Sequence, residues 1–429
     1  MKKLLIAAAA LIAAPLSAQP VAITGGKLVV GDGSPPIENG VVVINDGRVV
    51  AVGGPGTTIP AGATIIAAPG KWITPGIVAS FSRIGLVEVD GGVPGADDSD
   101  ADDSPYSAAL DIGWSVNPAA SPVAVSRADG VTRAVIAPNA GEHIFAGRGA
   151  VIDTAADYDP ITRPRAFQLV ELGERGTSLA GGSRSAAYLT FTEALRAARD
   201  GRQPGGPDDS LWTDADLRAL APVVRGEEKL FVHVNRAVDI VNALKLRREF
   251  PRLDMVLVGV AEGWMVAREI AAAGVPVIAE PLLNRPDSFE QLAATQSNIG
   301  RMRKAGVDVS VSLITEWVSR GARNQRQYAG NLVALNRVPG HEGVSWDEAF
   351  AMITSRPAAM VGMAGEIGVL KRGARADVVV WSDDPLELSS AAEQVWIDGV
   401  QQSLETRQTR LRDRYRHIAR QALPPSYRK

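Results

Sequence analysis

The stretch that decides the fold runs from Lys229 to Phe250, KLFVHVNRAVDIVNALKLRREF. It opens with KLFVHV, which is rich in β-branched and aromatic residues, as is typical of a buried strand. In the remainder, Ala237, Val241 and Leu244 recur at helical spacing and fall on one face. A strand that leads directly into a helix is the repeating unit of parallel α/β folds.

Three similar units follow along the chain, at DMVLVGV, VPVIAE and VDVSVSLI, and each leads into a helical segment. Consecutive units of this kind predict parallel strands joined by crossover helices. Earlier strands are predicted at GIVASFS, VTRAVIAP and AFQLVEL, which makes seven candidates with one missed or irregular. We therefore predict an α/β fold with a distorted (β/α)8 TIM barrel over residues 73–365, although an open sheet is also compatible with the pattern.

Both ends of this region carry short strands separated by glycine turns. In GVVVINDGRVVAVG, the residues Asn45, Asp46 and Gly47 predict a hairpin turn between two β-branched runs. GVLKRGARADVVVW and AEQVWIDGV show the same pattern near the other end. Neither end has enough strands for a core of its own, so we predict one small β-sandwich domain built from residues 19–72 and 366–402.

Residues 1–18, MKKLLIAAAALIAAPLSA, have the pattern of a secretory signal peptide, with two lysines, a short apolar run and small residues at its end. We expect export to the periplasm and no transmembrane segment in the mature chain, with a retained N-terminal anchor as the alternative. The chain has no cysteine and a net charge of -3. This composition excludes disulfides and argues against nucleic acid as a partner.

Residues 403–429 are rich in arginine, and apolar residues recur at roughly helical spacing, namely Leu404, Leu411, Tyr415, Ile418 and Ala422. The pattern predicts a C-terminal amphipathic helix. Such a helix either packs on its own domain or binds a membrane or a partner.

Four segments together resemble the amidohydrolase superfamily, in particular its exported, imidazolonepropionase-like branch. They are GDGSPPIENGVVVINDGRVVAVG, ITPGIVASFSRIGL, FVHVNRAVDI and IGVLKRGARADVVVWSDDPLE. The resemblance implies a barrel with one or two divalent metals that activate water against an amide, a cyclic amide or a related carbon–nitrogen bond. The family's ligands are a His-x-His pair on the first strand, a carboxylated lysine or glutamate on a middle strand, two further histidines and a late aspartate.

Set against that pattern, most ligand positions are substituted. The first-strand pair falls on Phe81 and Arg83, and only His233 matches one of the single histidines. Gly259 stands near the position of the other histidine, and Ile314, Thr315 and Glu316 stand where the late aspartate belongs. We expect a degenerate metal site, with no cofactor or at most one weakly bound divalent metal such as zinc.

The remaining polar residues near the strand ends define the predicted site. We predict His233, Glu262 and Arg83 as catalytic residues, and Asn235, Arg236, Glu171 and Glu280 as substrate-binding residues. Three alternatives stay open: His233 as a structural residue, His233 as a ligand of a single metal ion together with Glu262 and Glu171, and Arg83 in a salt bridge to Glu171 or Glu262. The acidic run from Asp97 to Asp103 is either a solvated loop or, if ordered, a lid.

Two functions follow from these residues. The first is hydrolysis of carbon–nitrogen bonds in amides, cyclic amides or peptide-like compounds, with Arg83 or backbone amides in place of the Lewis acid. The second is a catalytically silent protein that binds a small molecule or peptide in the barrel mouth. A homo-oligomer, or a complex with an active paralogue, is compatible with either function.

Overall fold

The computed structural model describes residues 19–89, 93, 95–201, 211–314 and 321–416. The predicted signal peptide, residues 1–18, lies outside the described residues. Among the helices of the described part, none is long and apolar enough to cross a membrane.

The two ends of the chain share one eight-stranded sheet, ordered β16-β15-β14-β5-β1-β2-β3 with β4 paired to β1. Strand β5 pairs antiparallel with β14, which joins the ends directly and carries the sheet to Pro75, beyond the predicted limit of residue 72. The predicted hairpin turn is present: Asp46 and Gly47 have φ of 48° and 73° between β2 and β3. The strands are β1 (Val21–Leu28), β2 (Ile37–Asn45), β3 (Arg48–Gly53), β4 (Thr64–Ala67), β5 (Trp72–Pro75), β14 (Val378–Trp381), β15 (Ala392–Ile397) and β16 (Val400–Gln401).

The second sheet also has eight strands, in chain order from β6 to β13. Its strands are β6 (Ile77–Ser82), β7 (Val131–Ile136), β8 (Phe145–Asp153), β9 (Ile161–Glu171), β10 (Lys229–Val234), β11 (Met255–Gly259), β12 (Val277–Ala279) and β13 (Val309–Val311). Strand β8 runs antiparallel to both neighbours, and all other pairs are parallel. The seven predicted strands are therefore present, and β8 is the irregular one that the sequence pattern missed.

Side chains close the gap between the first and last barrel strands. Ser80 Oγ donates to the Val311 carbonyl oxygen at 2.8 Å, and Ser312 Oγ donates to the Phe81 carbonyl oxygen at 2.6 Å. These bonds take the place of a backbone ladder, so the sheet is nearly closed. The predicted combination of a TIM barrel and a sandwich is confirmed.

Helices cover the barrel and connect its strands. They are α1 (Ser121–Ala128), α2 (Glu174–Leu179), α3 (Arg184–Asp200), α4 (Asp214–Arg225), α5 (Ala237–Lys245), α6 (Ala267–Ala273), α7 (Asn298–Lys304), α8 (Gly321–Ala334), α9 (Trp346–Ala351), α10 (Ser355–Met360) and α11 (Arg407–Arg416). Helix α9 begins with the capping box that Ser345 and Glu348 form.

Helix α11 is the described part of the predicted C-terminal helix, and none of its residues is buried. Of the segment 403–416, Leu404 and Thr406 pack on the barrel, whereas α11 itself buries no residue. Its side chains are mostly charged, so a buried face would require removing arginines from water. Residues 417–429 lie outside the described residues.

The barrel core positions the residues at its mouth. The rings of Phe167 and Phe231 stack with centroids 3.9 Å apart. Because side chains alternate along a strand, Glu171 on β9 and His233 on β10 continue the two rows that contain these rings. Further residues of β9 and β11 in the same cluster are Leu169, Val256 and Val258.

A buried ionic cluster joins the barrel to the sandwich. Arg133 on β7 is fully buried and binds both carboxylate oxygens of Asp377, at 2.7 and 2.9 Å. It also lies 2.8 Å from Asp398 and 3.5 Å from Asp153. Burial raises the pKa of Asp153 to about 6, although the charge of Arg133 opposes that shift.

Candidate active site

The centre of the candidate site is a hydrogen-bonded pair at the ends of two neighbouring strands. The register of β9 and β10 sets Glu171 beside His233. Glu171 Oε2 lies 2.6 Å from His233 Nδ1. Because the carboxylate accepts the Nδ1 proton, Nε2 is left as the basic nitrogen of the neutral ring.

The surroundings of His233 stabilise its charged form. Burial alone disfavours the imidazolium, but the charge of Glu171 and its hydrogen bond raise the pKa of His233 above its ordinary value. Glu290 and Glu280 add to this effect from farther away. Glu280 follows β12 and is buried, with 7% of its surface exposed, so this predicted residue does lie near His233.

Arg83 follows β6 and occupies the same electrostatic neighbourhood. Burial lowers the pKa of its guanidinium, while the carboxylates of Asp97, Glu171 and Asp100 oppose that shift. Arg83 forms no ion pair with Glu171 or Glu262, all three being described residues. Its Nη2 instead donates to Asn139 Oδ1 at 3.1 Å.

Asn139 connects Arg83 to the acidic loop. Its Nδ2 donates to Asp100 at 3.1 Å, and its backbone N donates to the Ser99 carbonyl oxygen at 2.6 Å. Ser99 is buried, while Asp97 and Asp100 remain exposed. Sequence reasoning missed Asn139, although its position just after β7 was a signal, since side chains at strand ends line a barrel mouth.

Glu262 has a structural role that makes it a poor candidate for a catalytic base. Its Oε2 accepts the backbone N–H of Ala237 at 2.9 Å, at the start of α5. Its Oε1 accepts the backbone N–H of Ala293 at 3.1 Å. Both oxygens therefore hold backbone amides in place, as a helix cap does.

Asn235 and Arg236 are also engaged within the protein. Asn235 is buried, donates to Glu290 Oε1 at 3.0 Å and accepts from the backbone N of Ala261 at 3.3 Å. Arg236 donates to both carboxylate oxygens of Asp239 at 3.0 Å. Asn235 thus supports the floor beside His233, whereas Arg236 is bound to its own helix. Sequence reasoning missed Glu290, which lies outside any predicted strand end.

Gly259, which stands near the position of the second family histidine, brings its backbone close to His233. Its φ is +90°, a conformation that L side chains rarely adopt. A Cβ atom there would lie 2.6 Å from Asn235 Oδ1 and 3.0 Å from His233 Nε2. The backbone at residue 259 therefore approaches His233 and Asn235 more closely than a residue with a side chain would allow.

The donor set of the described residues does not fit the binuclear metal centre that the resemblance implies. Phe81 offers no ligand atom, and the permanent positive charge of Arg83 opposes a cation beside it. No three His, Asp or Glu side chains gather to hold a metal within the described ranges. Of the late-aspartate region, Thr315 and Glu316 lie outside those ranges.

A small cavity of about 20 Å³ opens beside Arg83. That volume holds about one water molecule. Its lining residues come from the ends of β6 and β13 and the start of α8, namely Phe81, Ser82, Arg83, Leu313, Ile314, Gly321 and Ala322.

Comparison with known proteins gives a consistent picture. Residues 257–401 match the model of an amidohydrolase family. Amidohydrolase tasK of Hapsidospora irregularis is 26% identical over 413 residues, which cover 85% of this chain but only 39% of that protein. This chain therefore spans well under half the length of that relative.

Solved structures share the fold. An amidohydrolase from Thermotoga maritima MSB8 superposes with a TM-score of 0.78 at 22% identity, covering 89% of this chain and 99% of that one. A prolidase complexed with N-methylphosphonate-L-proline gives a TM-score of 0.54 at 17% identity, with the same two coverages. The family model over residues 257–401, the sequence relative and the shared fold all make this chain similar to the amidohydrolases.

Proposed function

We propose that the chain is a periplasmic hydrolase of carbon–nitrogen bonds in amides, cyclic amides or peptide-like compounds, with a degenerate metal site. The observation that carries this proposal is the contact of 2.6 Å between Glu171 Oε2 and His233 Nδ1 at the barrel mouth. A carboxylate that holds one nitrogen of an imidazole leaves the other free to move protons, which is the arrangement used in general base catalysis.

The proposed reaction uses His233 twice. Its Nε2 removes a proton from water while the water oxygen bonds to the substrate carbonyl carbon. The imidazolium then gives that proton to the leaving nitrogen as the carbon–nitrogen bond breaks, so the base is regenerated. Glu171 fixes the ring and stabilises the imidazolium between these two steps. A positioned acid–base group of this kind contributes about 10²- to 10⁴-fold to the rate.

Arg83 supplies positive charge at the same mouth. The charge of Glu171 acts on both Arg83 and His233, so the two cationic groups share one neighbourhood. We assign Arg83 to the oxygen that becomes negative when water adds to the carbonyl group. No step requires a metal ion, and we expect no binuclear centre and at most one weakly bound divalent ion such as zinc.

The proposal is tested with purified full chain and a panel of amides, dipeptides and cyclic amides, with and without added zinc. We expect turnover of at least one class and a loss of about 10²-fold or more in His233→Gln. His341→Gln is the matched control, because His341 lies on the loop after α8, where its Nδ1 is 3.3 Å from the Pro339 carbonyl oxygen. No turnover on any compound, or equal losses in both variants, would contradict the proposal.

Export is a separate part of the proposal, supported by the pattern of residues 1–18. Fractionation of cells that make the full chain should recover it from the periplasm in a form shortened at its N-terminus. Recovery of the uncut chain from the cytoplasm would contradict this part alone.

A second candidate function is a silent binding or accessory protein. The presence of Arg83 and Phe81 in place of a family ligand pair favours it, since a permanent cation there suits ligand binding without metal chemistry. A rise in melting temperature with a small molecule or peptide that is not turned over would support this function. Light scattering and pull-down distinguish a homo-oligomer from a complex with an active paralogue.

A further inference from the structure

Helix α11 is an exposed, strongly basic helix in which no residue is buried. It contains five arginines, at positions 407, 410, 412, 414 and 416, and one acidic residue, Asp413. Leu411 and Tyr415 are 40% and 55% exposed. The chain as a whole has a charge of -3, so this concentration of positive charge is local.

The two apolar side chains of α11 lie on the same side of the helix. Successive residues turn by about 100°, so Leu411 and Tyr415 form one narrow apolar strip. Arg407 and Arg414 flank this strip on one side, and Arg412 and Arg416 flank it on the other. Asp413, the acidic residue, points away from the strip on the opposite side of the helix.

The segment before the helix is firmly attached to the barrel. Arg127 on α1 donates from Nε to the Ser403 carbonyl oxygen at 3.0 Å, and Leu404 packs against the main core. Thr406 is buried, and its Oγ1 accepts the Thr409 amide at 3.1 Å as an N-cap. The helix therefore starts from a fixed point and presents its arginines to solvent.

Few of these arginines are neutralised within the protein. Arg412 pairs with the adjacent Asp413 at 2.8 Å, and Arg410 lies 3.5 Å from Glu405. Both pairs are exposed, and exposed ion pairs contribute little to the stability of the folded protein. Arg407, Arg414 and Arg416 form no ion pair with any described residue.

We infer that α11 binds an anionic lipid surface and holds the protein against the membrane without crossing it. Five arginines against one acidic residue favour electrostatic attraction to anionic headgroups, and Leu411 and Tyr415 add a short apolar strip that can enter the bilayer interface. A purely electrostatic partner such as nucleic acid would leave Leu411 and Tyr415 without a role. The inference does not depend on the proposed hydrolase activity.

The test is sedimentation of the full chain with phosphatidylcholine vesicles that contain phosphatidylglycerol, beside vesicles of phosphatidylcholine alone. We expect binding to the anionic vesicles only, and its loss at high salt. Each arginine near an anionic leaflet contributes about fivefold to binding, so replacing Arg407, Arg414 and Arg416 by Gln should weaken binding about 100-fold. Gln preserves helix propensity, and circular dichroism verifies the fold.

The matched control removes the same charge elsewhere, by replacing the exposed Arg48, Arg199 and Arg225 with Gln. This control should bind within about threefold of the wild type, because distant surface charges are screened. Equal weakening in both triple variants, equal binding to neutral vesicles, or no binding to anionic vesicles would each overturn the inference. A dimer that dissociates in the α11 variant, without any vesicle binding, would overturn it in favour of a second copy of the chain as partner.

Discussion

Replacing Gly259 by Ala is the substitution whose effect the structure defines most closely. The new Cβ would lie 2.6 Å from Asn235 Oδ1, a distance that real Cβ atoms essentially never show, and 3.0 Å from His233 Nε2. Asn235 cannot move without cost, because it donates to Glu290 Oε1 at 3.0 Å. The collision is therefore expected to displace the residue that supports the floor of the site.

Two effects contribute to the loss of stability in Gly259→Ala. A non-glycine residue in a left-handed conformation costs about 1–2 kcal/mol. Loss of a buried hydrogen bond to a carboxylate costs about 1.5–3 kcal/mol more. Gly259→Ala should thus lower the free energy of unfolding by roughly 3–5 kcal/mol. Gly306→Ala is the matched control, because Gly306 has the same φ of +90° with nothing within 4 Å of the added Cβ.

Urea denaturation of the two variants separates the backbone cost from the cost of the lost hydrogen bond. Gly306→Ala reports the backbone cost alone, so Gly259→Ala should be about 2 kcal/mol less stable than Gly306→Ala. The His233 ring signals in NMR spectra should shift in Gly259→Ala and stay unchanged in the control. Equal destabilisation of the two variants, or an unmoved His233 signal, would refute the account of the crowded site.

Three further predictions concern charged residues. In an NMR titration, the pKa of His233 should lie above its ordinary value of about 6.5 and should fall in Glu171→Gln. A raised pKa stabilises the fold fully below the unfolded pKa, and this stabilisation is lost as pH rises through the folded pKa. Glu171→Gln should therefore lower the free energy of unfolding most at acidic pH. Because the pKa of Asp153 is raised to about 6, the free energy of unfolding should fall as pH rises through about 6. Asp153→Asn should flatten this pH dependence in urea denaturation while keeping Arg133 buried. Glu262→Ala should lower the free energy of unfolding by about 1–2 kcal/mol through loss of the α5 cap, and it should leave the titration of His233 unchanged. A large change in that titration would instead show that Glu262 belongs to the catalytic group.

The barrel was largely predictable because its parallel strands and helices leave a repeating pattern. Strand β8 was missed because FAGRGAVID contains Gly147 and Gly149, and no helix follows it. Glycine lowers strand propensity, so pairing with β7 and β9 decides its structure rather than its own sequence. The exposure of α11 was not predictable either, because an amphipathic pattern does not indicate which surface the helix packs against.

The sequence pattern predicts which polar residues follow the barrel strands, but it does not predict how they are connected. His233 and Glu171 are 62 positions apart, and only the register of β9 and β10 makes them partners. Glu262 has the residue type of a base, yet the amides it accepts come from segments that the fold brings together. Asn139 gave no signal by residue type, because its importance comes from lying between Arg83 and the acidic loop.

The central claim is that the pair of His233 and Glu171 carries the chemistry without a metal centre. The most direct measurement is the rate at which the full chain hydrolyses its best amide substrate after complete chelation of divalent metals. The account predicts that this rate equals that of the untreated protein. Loss of the rate on chelation, with recovery when zinc is restored, would contradict it.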